Sequence, residues 1–398
     1  MPKTIRIAQV GCGSLAQRGT LAHLACDDVK DRVQLVATMD VIADRAKACM
    51  EKFGAEEWYD DYDELLEKAD IDAVTIASPI GLHYEQVMKA VEAGKHVHCN
   101  KTITTTVKEA TDVIQAARKK DVKVVASPGG RAGSPIARRT RDLIREGILG
   151  KVYWAQAGMQ FRGHEYEDFR VADDVSVSVD PTWYYKIGGG PMYDMGVYQL
   201  HVITSILGSA RKVVARSGIG LKERIFKAKR ITVEMDDNTL LLLDFGDSVF
   251  AFLFAAFAAG EGAATFYISG ADGSARADYS SMEFWSTRIP EHHKIEKLDY
   301  KGTLRFVDQL GPAHHAWRLP TEERELLKKS LGLRALPMGE NHVFNDVMHL
   351  VHCILNDEEP IVADNIESMQ HARHVIEIIE KGYVAANTGR AQELTTTF

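Results

Sequence analysis

The sequence predicts an α/β protein in two parts. Residues 1–127 read as a Rossmann-type, doubly wound parallel sheet. Residues 128–398 read as an α+β domain with a large, mostly antiparallel open sheet, the C-terminal helices included. Three observations carry this. Strand-like and helix-like segments alternate with short loops as far as Ser127, the pattern of βαβ units covered on both faces. After Pro128 the chain turns to longer apolar runs separated by turn signals. A glycine-rich turn joins the first strand to the first helix.

In order, "IRIAQVG" is a strand, and Leu15 to Ala25 has helical spacing. "VQLVATMD" (Val33 to Asp40) is a second strand, and "ADRAKACMEKFG" is a helix ended by Gly54. "DYDELLEKAD" is a short acidic helix and "IDAVTIAS" (Ile71 to Ser78) a β-branched strand. "HYEQVMKAVEAGK" is a helix stopped at Gly94, followed by the strand "HVHC", the helix "VKEATDVIQAARKKD" and the strand "VKVVAS". Beyond Pro128 a helix is expected from Pro135 to Glu146. Then come the strands "KVYWAQAGMQF", "TLLLLDFG", "SVFAFLFAAF" and "ATFYISG", with "MDDN" and "GDS" as turns between the middle pairs. "SVFAFLFAAFAAG" is too short to span a bilayer as a helix and reads as a buried strand. The last segments, "ENHVFNDVMHLVHCILN" and "IESMQHARHVIEIIEKGYVAAN", are helical.

The chain has 398 residues, 45% apolar and 26% charged, with a net charge of −8. That balance excludes an electrostatic nucleic-acid binder and leaves an anionic small substrate open. The five cysteines are scattered and never spaced C-x-x-C, which fits reduced thiols and a cytoplasmic location. The N-terminus reads as a first strand, not a signal peptide, and no membrane partner is expected.

"VGCGSLA" fits G-x-G-x-x-A through Gly11, Gly13 and Ala16. Gly11 would permit a tight turn, Gly13 a close approach to a pyrophosphate, and Ala16 tight helix–strand packing. The pyrophosphate would rest on the free N–H groups of the helix start. Alone, the pattern also fits a glycine turn with no ligand. The second strand ends in Asp40, an acceptor for ribose hydroxyls that would repel a 2′-phosphate. A helix N-cap is the other use for that aspartate. Arg45 keeps NADP open, and NAD is favoured.

Two further motifs, "SPIGLHYEQVMKAVEAGKHVHCNK" and "GGGPMYDMGVYQLH", join the first. Together they resemble the glucose–fructose oxidoreductase and inositol dehydrogenase family, Gfo/Idh/MocA. The resemblance covers most of the chain. It implies that Lys101 is catalytic, although the family's Glu-Lys-Pro reads Asn100-Lys101-Thr102 here. It makes Asp194 the aspartate of the second motif and puts Tyr198 where many members carry histidine. It implies that NAD would contact Gly11, Gly13, Ser14, Leu15, Asp40, Ser78, Pro79, His83, Asn100 and Lys101.

Asp194 and Tyr198 are spaced i, i+4, which places both on one face of a helix. Alcohol oxidation requires a base, and an ammonium near a tyrosine would favour tyrosinate. Lys101 would supply that charge, and Asp194 would orient it. Each has an ordinary alternative: a solvated lysine, a core tyrosine, an N-cap aspartate. The triple glycine would let backbone pack against substrate or cofactor. Arg131, Arg162, Lys186 and His164 flank loops above the sheet's carboxyl end and would hold substrate, as would His201, one turn beyond Tyr198. Solvated surface charge is the alternative for those in the loops. No metal is expected, since neither H-E-x-x-H nor dense Cys/His spacing occurs.

The leading expectation is an NAD-dependent oxidoreductase acting on a sugar, sugar derivative or polyol, in a homo-oligomer (dimer or tetramer) built on the second sheet. An NAD-dependent glycosidase, working by oxidation, elimination, water addition and re-reduction, is the alternative. A non-catalytic NAD or sugar sensor ranks last, because Lys101, Asp194 and Tyr198 are all present. Residues 291–339, with Trp317, read as an insertion that would form a lid or reach a neighbouring subunit.

Overall fold

The computed structural model describes residues 4–25, 29–167, 170, 179–258, 260, 262–277, 281–298 and 342–398. Most of the insertion, with Trp317, lies outside them, as does Cys26.

The first sheet holds β1 (Ile5–Val10), β2 (Val33–Met39), β3 (Glu57–Tyr59), β4 (Ala73–Ile76), β5 (His96–Cys99) and β6 (Val124–Ala126). Its order is β3-β2-β1-β4-β5-β6, and every pair is parallel. The connecting helices are α1 (Ser14–Arg18), α2 (Thr20–Leu24), α3 (Ala43–Phe53), α4 (Tyr62–Lys68), α5 (Ile80–Glu92) and α6 (Val107–Lys120). Consecutive residues of β4 are all buried, as helices on both faces require. The helix expected over Leu15 to Ala25 is split at Gly19, whose φ of −118° and ψ of −96° leave the helical region. Strand order reverses between β1 and β4. A crevice therefore opens above their carboxyl ends, where Gly11 and Ser78 follow the two strands. The threonine run after Lys101 ends in a capping box: Thr106 accepts from the Glu109 N–H and Glu109 reaches back.

After α7 (Pro135–Arg145), capped by Ser134, comes the second sheet. Its strands are β7 (Val152–Gln160), β8 (Lys212–Gly218), β11 (Asn238–Gly246), β12 (Val249–Ala256), β13 (Gly262–Gly270), β14 (Gly273–Ala277), β15 (Ser281–Ser286), β16 (His293–Lys297) and β19 (Gln392–Glu393). A ribbon of β9 (Glu223–Phe226) and β10 (Lys229–Thr232) and a small pair, β17 (Ile361–Ala363) with β18 (Ile366–Glu367), stand apart from it. Among the described residues the large sheet has nine strands in the order β16-β15-β14-β13-β7-β12-β11-β8-β19. Only β7 with β12 is a parallel pair there. Asp247 and Ser248, both at positive φ, turn β11 into β12, as "GDS" predicts.

The expected buried strand is a correction. β12 buries only Ala251, Leu253 and Ala255 on its inward face, while Phe250 and Phe252 are exposed. With Trp154, Val214, Leu240 and Leu242 they form an apolar outer face. Against the inner face lies α8 (Val197–Leu207), which is apolar nearly all round because it is enclosed on every side. α9 (His342–Asn356) sends Val347, Met348, Leu350 and Val351 into the core under β1. α10 (Ser368–Thr388) divides its apolar residues between the two cores: Met369, Ala372 and Ile376 pack with the first sheet, Val375, Ile378 and Ile379 with the second. No described helix is long and apolar enough to cross a membrane.

Candidate active site

The glycine turn forms as the motif requires. Gly11 has φ +82°, and a β-carbon there would come within 2.8 Å of the Ser78 nitrogen and 2.9 Å of the Ala77 carbonyl carbon. The turn is fastened to the end of β2. The Cys12 N–H donates to Asp40 Oδ2 at 2.9 Å, while Asp40 Oδ1 accepts from the Ile42 N–H at 3.0 Å and from Arg45 Nη1 at 3.2 Å. The cleft above is lined by Gly11, Gly13, Ser14, Leu15, Asp40, Arg45, Ser78, Pro79, Asn100 and Lys101. Its far wall, Arg170, Val179, Trp183 and Tyr184, comes from the segment that follows β7, beyond the first sheet. These residues fit a dinucleotide: bare backbone at Gly11 and Gly13, a helix start with no side-chain cap, and an acid at the end of the second strand.

His83 is a correction. It is buried behind the cleft, with Nδ1 2.7 Å from the Thr102 carbonyl and Nε2 2.8 Å from that of Ser78. Burial holds its pKa below the ordinary histidine value. A neutral ring carries one N–H, so it bonds one of these two carbonyls at a time and packs between the loops that bear the cleft residues.

Lys101 follows β5 directly. The Asn100 side chain accepts a 2.7 Å hydrogen bond from the Lys101 N–H, and the Lys101–Thr102 peptide is cis. The Lys101 ammonium forms an ion pair with Asp194; the two side chains are 11% and 3% exposed. Burial alone would raise the Asp194 carboxyl, but Lys101 and His164 hold it well below the usual range. The same ammonium lies 5.3 Å from the centroid of the Tyr198 ring, and so does the Arg131 guanidinium carbon. The cations therefore meet the aromatic ring, where its quadrupole attracts them. The simple i, i+4 helical face is also corrected. Asp194 sits in a π turn, Met192–Gly196, and Tyr198 begins the α-helix after it. The two are still brought together around Lys101.

The remaining predicted residues scatter. His201 is buried, with Nδ1 3.2 Å from His371 Nδ1 between α8 and α10, and burial lowers its pKa to about 3. It faces α10 across the helix interface and not the cleft. Lys186 pairs with Glu234, and Arg162 lies 4.3 Å over the Tyr166 ring. Two of the three glycines pack on protein: a β-carbon at Gly189 would lie 2.5 Å from the Tyr184 carbonyl oxygen, and one at Gly190 2.8 Å from Asp236.

His164, expected in a loop above the sheet's carboxyl end, completes the site with two residues the motifs do not reveal, Glu167 and Arg170. His164, from a short 3-10 turn, lies beside Asp194, Glu167 lies beside His164, and Arg170 binds Glu167. Their i, i+3 spacing in "HEYEDFR" is the one signal that would have singled them out. Among the described residues no cluster of three His, Cys, Asp or Glu side chains could hold a metal ion.

Fold and cleft define a protein with a dinucleotide-binding Rossmann domain whose site is closed by an open-sheet domain. Residues 5–127 match the family described as "Oxidoreductase family, NAD-binding Rossmann fold", and residues 137–276 match the "GFO/IDH/MocA C-terminal domain". The chain belongs to the Gfo/Idh/MocA oxidoreductases. It is 30% identical over 205 residues to dTDP-3,4-didehydro-2,6-dideoxy-α-D-glucose 3-reductase of Actinomadura kijaniata, covering 52% of this chain and 57% of that one. It is 28% identical over 204 residues to D-glucoside 3-dehydrogenase of Escherichia coli (strain K12), covering 51% and 54%. The matches thus span little more than half of these relatives. Levoglucosan dehydrogenase in complex with NADH shares the fold at a TM-score of 0.76 and 17% identity, over 99% of this chain and 100% of the other.

Proposed function

We propose that the protein transfers hydride between a hydroxyl-bearing carbon of a sugar or polyol and a nicotinamide dinucleotide. The observation that carries this is the Lys101–Asp194 pair at the inner end of the dinucleotide cleft. When bound, the nicotinamide supplies the hydride acceptor or donor. Lys101 hydrogen-bonds the reacting oxygen and handles its proton with Tyr198, and Asp194 holds Lys101. Arg131, whose Nε has no hydrogen-bond partner among the described residues, is the cation for a substrate hydroxyl or carboxylate. Two relatives are named for chemistry at position 3 of a hexose, so a hexopyranoside 3-hydroxyl is the first substrate to try. Asp40 supports NAD over NADP, with Arg45 as the group that would meet a 2′-phosphate.

The test is reduction of NAD, and separately of NADP, with methyl hexopyranosides, free hexoses, inositol and uronic acids. Lys101→Ala retaining turnover on a verified substrate would sink the assignment. A nitrophenyl glycoside that releases nitrophenol without accumulating NADH would replace it with oxidoreductive hydrolysis.

The apolar outer face of the second sheet supports a homo-oligomer, dimer or tetramer, that covers it. Leu242→Arg with Phe252→Glu is expected to give a monomer by light scattering, and an unchanged mass would reject that face. The four described cysteines are free, which supports a reducing, cytoplasmic setting. The division at 127/128 is proposed on the change of sheet at β6.

A further inference from the structure

His164 has no part in the reaction as proposed above, yet its surroundings are the most constrained in the site. Its Nε2 lies 2.8 Å from Asp194 Oδ2 and its Nδ1 2.7 Å from Glu167 Oε2. Asp194 also receives the Lys101 ammonium, and Glu167 receives Arg170 Nε at 2.5 Å. Each carboxylate thus has a permanent cation on one side and the same imidazole on the other. An ionised carboxylate only accepts, so the ring must donate from both nitrogens, which only imidazolium can do. Charge alternates along the row Lys101, Asp194, His164, Glu167, Arg170.

The other elements around the ring add no competing acid. Tyr184 stacks on it at 3.4 Å, and Phe161 and Phe257 meet it edge-on at 4.8 and 5.2 Å. Its backbone N–H donates to the Tyr185 hydroxyl at 2.9 Å, and that hydroxyl is held in turn by Glu165, beside Arg224. Arg170 is fixed by the Tyr184 hydroxyl and the Val179 carbonyl, on the cleft wall. Burial would discharge the imidazole. Asp194 and Glu167 outweigh burial and hold its pKa above the ordinary histidine value.

We propose that His164 is a positioning residue: as an imidazolium it grips one oxygen of Asp194, leaves the other to Lys101, and so fixes the direction of the lysine amino group. Glu167 and Arg170 keep it charged and tie it to the wall of the dinucleotide cleft. This rests on the hydride-transfer reading. Its consequence is an alkaline limb in the pH profile. Above the raised pKa the ring loses a proton, one of the two carboxylates loses its donor, and Asp194 is no longer gripped from both sides.

The first measurement needs neither cofactor nor substrate. Nitrogen NMR of histidine-labelled protein, with the signal assigned by its loss in His164→Gln, is expected to show both ring nitrogens protonated at neutral pH. In Glu167→Gln the ring should lose its proton at lower pH. In turnover, His164→Ala is expected to lower kcat/KM about 100-fold, mostly in kcat, because a small misplacement of a reacting group costs that much. NADH affinity should remain near wild type. His164→Gln, which keeps one N–H donor, should recover part of the rate and lack the alkaline limb. A neutral ring in the NMR titration, or a wild-type alkaline limb in His164→Gln, overturns the proposal. If the wild type turns over no sugar, the hydride reading fails by itself, and the NMR result still decides whether His164 is the charged clamp.

Discussion

Replacing Gly11 with alanine tests the cofactor cleft at its most constrained point. The backbone there has φ +82°, and the new methyl would meet main-chain atoms, the Ser78 nitrogen at 2.8 Å and the Ala77 carbonyl carbon at 2.9 Å. Neither is the movable end of a side chain. The left-handed conformation costs an alanine about 1–2 kcal/mol. Overpacking against a fixed neighbour costs about 1–3 kcal/mol more. A total near 2–5 kcal/mol is a large part of the roughly 5–15 kcal/mol that holds an ordinary domain together. At about 2–4 °C per kcal/mol, the melting temperature should fall by roughly 10 °C. Relief must come from parting the loops after β1 and β4, which are opposite sides of the dinucleotide cleft. NADH should therefore bind at least ~10-fold more weakly, a change of about 1.4 kcal/mol. Calorimetry gives the first quantity and fluorescence titration with NADH the second. A Gly11→Ala protein that melts and binds NADH like the wild type would refute the assignment of this turn.

Three other perturbations follow from contacts in the fold. Asp40→Ala removes the acceptor that would meet the ribose and frees Arg45, so the ratio of kcat/KM for NADP over NAD should rise at least ~10-fold; an unchanged ratio would remove Asp40 from cofactor choice. Asp346 is buried, accepting from Ser127 at 2.7 Å and the Gly130 N–H at 2.8 Å; burial, only partly offset by these donors, raises its pKa to about 7. A carboxyl raised in the fold contributes stability at low pH that is lost as pH climbs toward and through 7. Urea unfolding at pH 5 and pH 8 should differ by a few kcal/mol less in Asp346→Asn than in wild type, and equal differences would contradict the buried-acid account. Arg224→Met strands Glu165 and Asp237, which are 2% and 0% exposed, and should cost about 3–5 kcal/mol in urea unfolding; a loss under ~1 kcal/mol would mean the cluster contributes little.

Much of the fold was legible because it is written in local patterns. The alternation of strand and helix to Ser127 matches five of the six parallel strands, missing only the three-residue edge strand β3, and the glycine turn lies where strand order reverses. The helix over Leu15 to Ala25 was drawn too long, since spacing does not reveal the backbone break at Gly19. In β12 apolar residues on both faces read as burial, whereas alternation puts the phenylalanines on one face and leaves Phe250 and Phe252 outside. Lys101, Asp194 and Tyr198 were found from motif order, and they converge in space. His201 and His83 face packed protein instead of the cleft, because nearness in sequence says nothing of which side of a helix or loop is packed.

From the sequence alone follow the two sheets, the dinucleotide turn and the lysine just past the strand "HVHC". Each depends on neighbours within a few residues: a period, a glycine, a cap. Tertiary structure alone decided that His164, Glu167 and Arg170 line up behind Asp194 and that Arg131 faces Tyr198. It also decided that the far wall of the cleft comes from the segment that follows β7. His164, Glu167 and Arg170 are three residues apart in turn, but the contacts that bring them to the site join segments 30 and 93 residues apart, His164 to Asp194 and Lys101 to Asp194. Their energy depends on burial and on charges that reach each other only after the chain has folded.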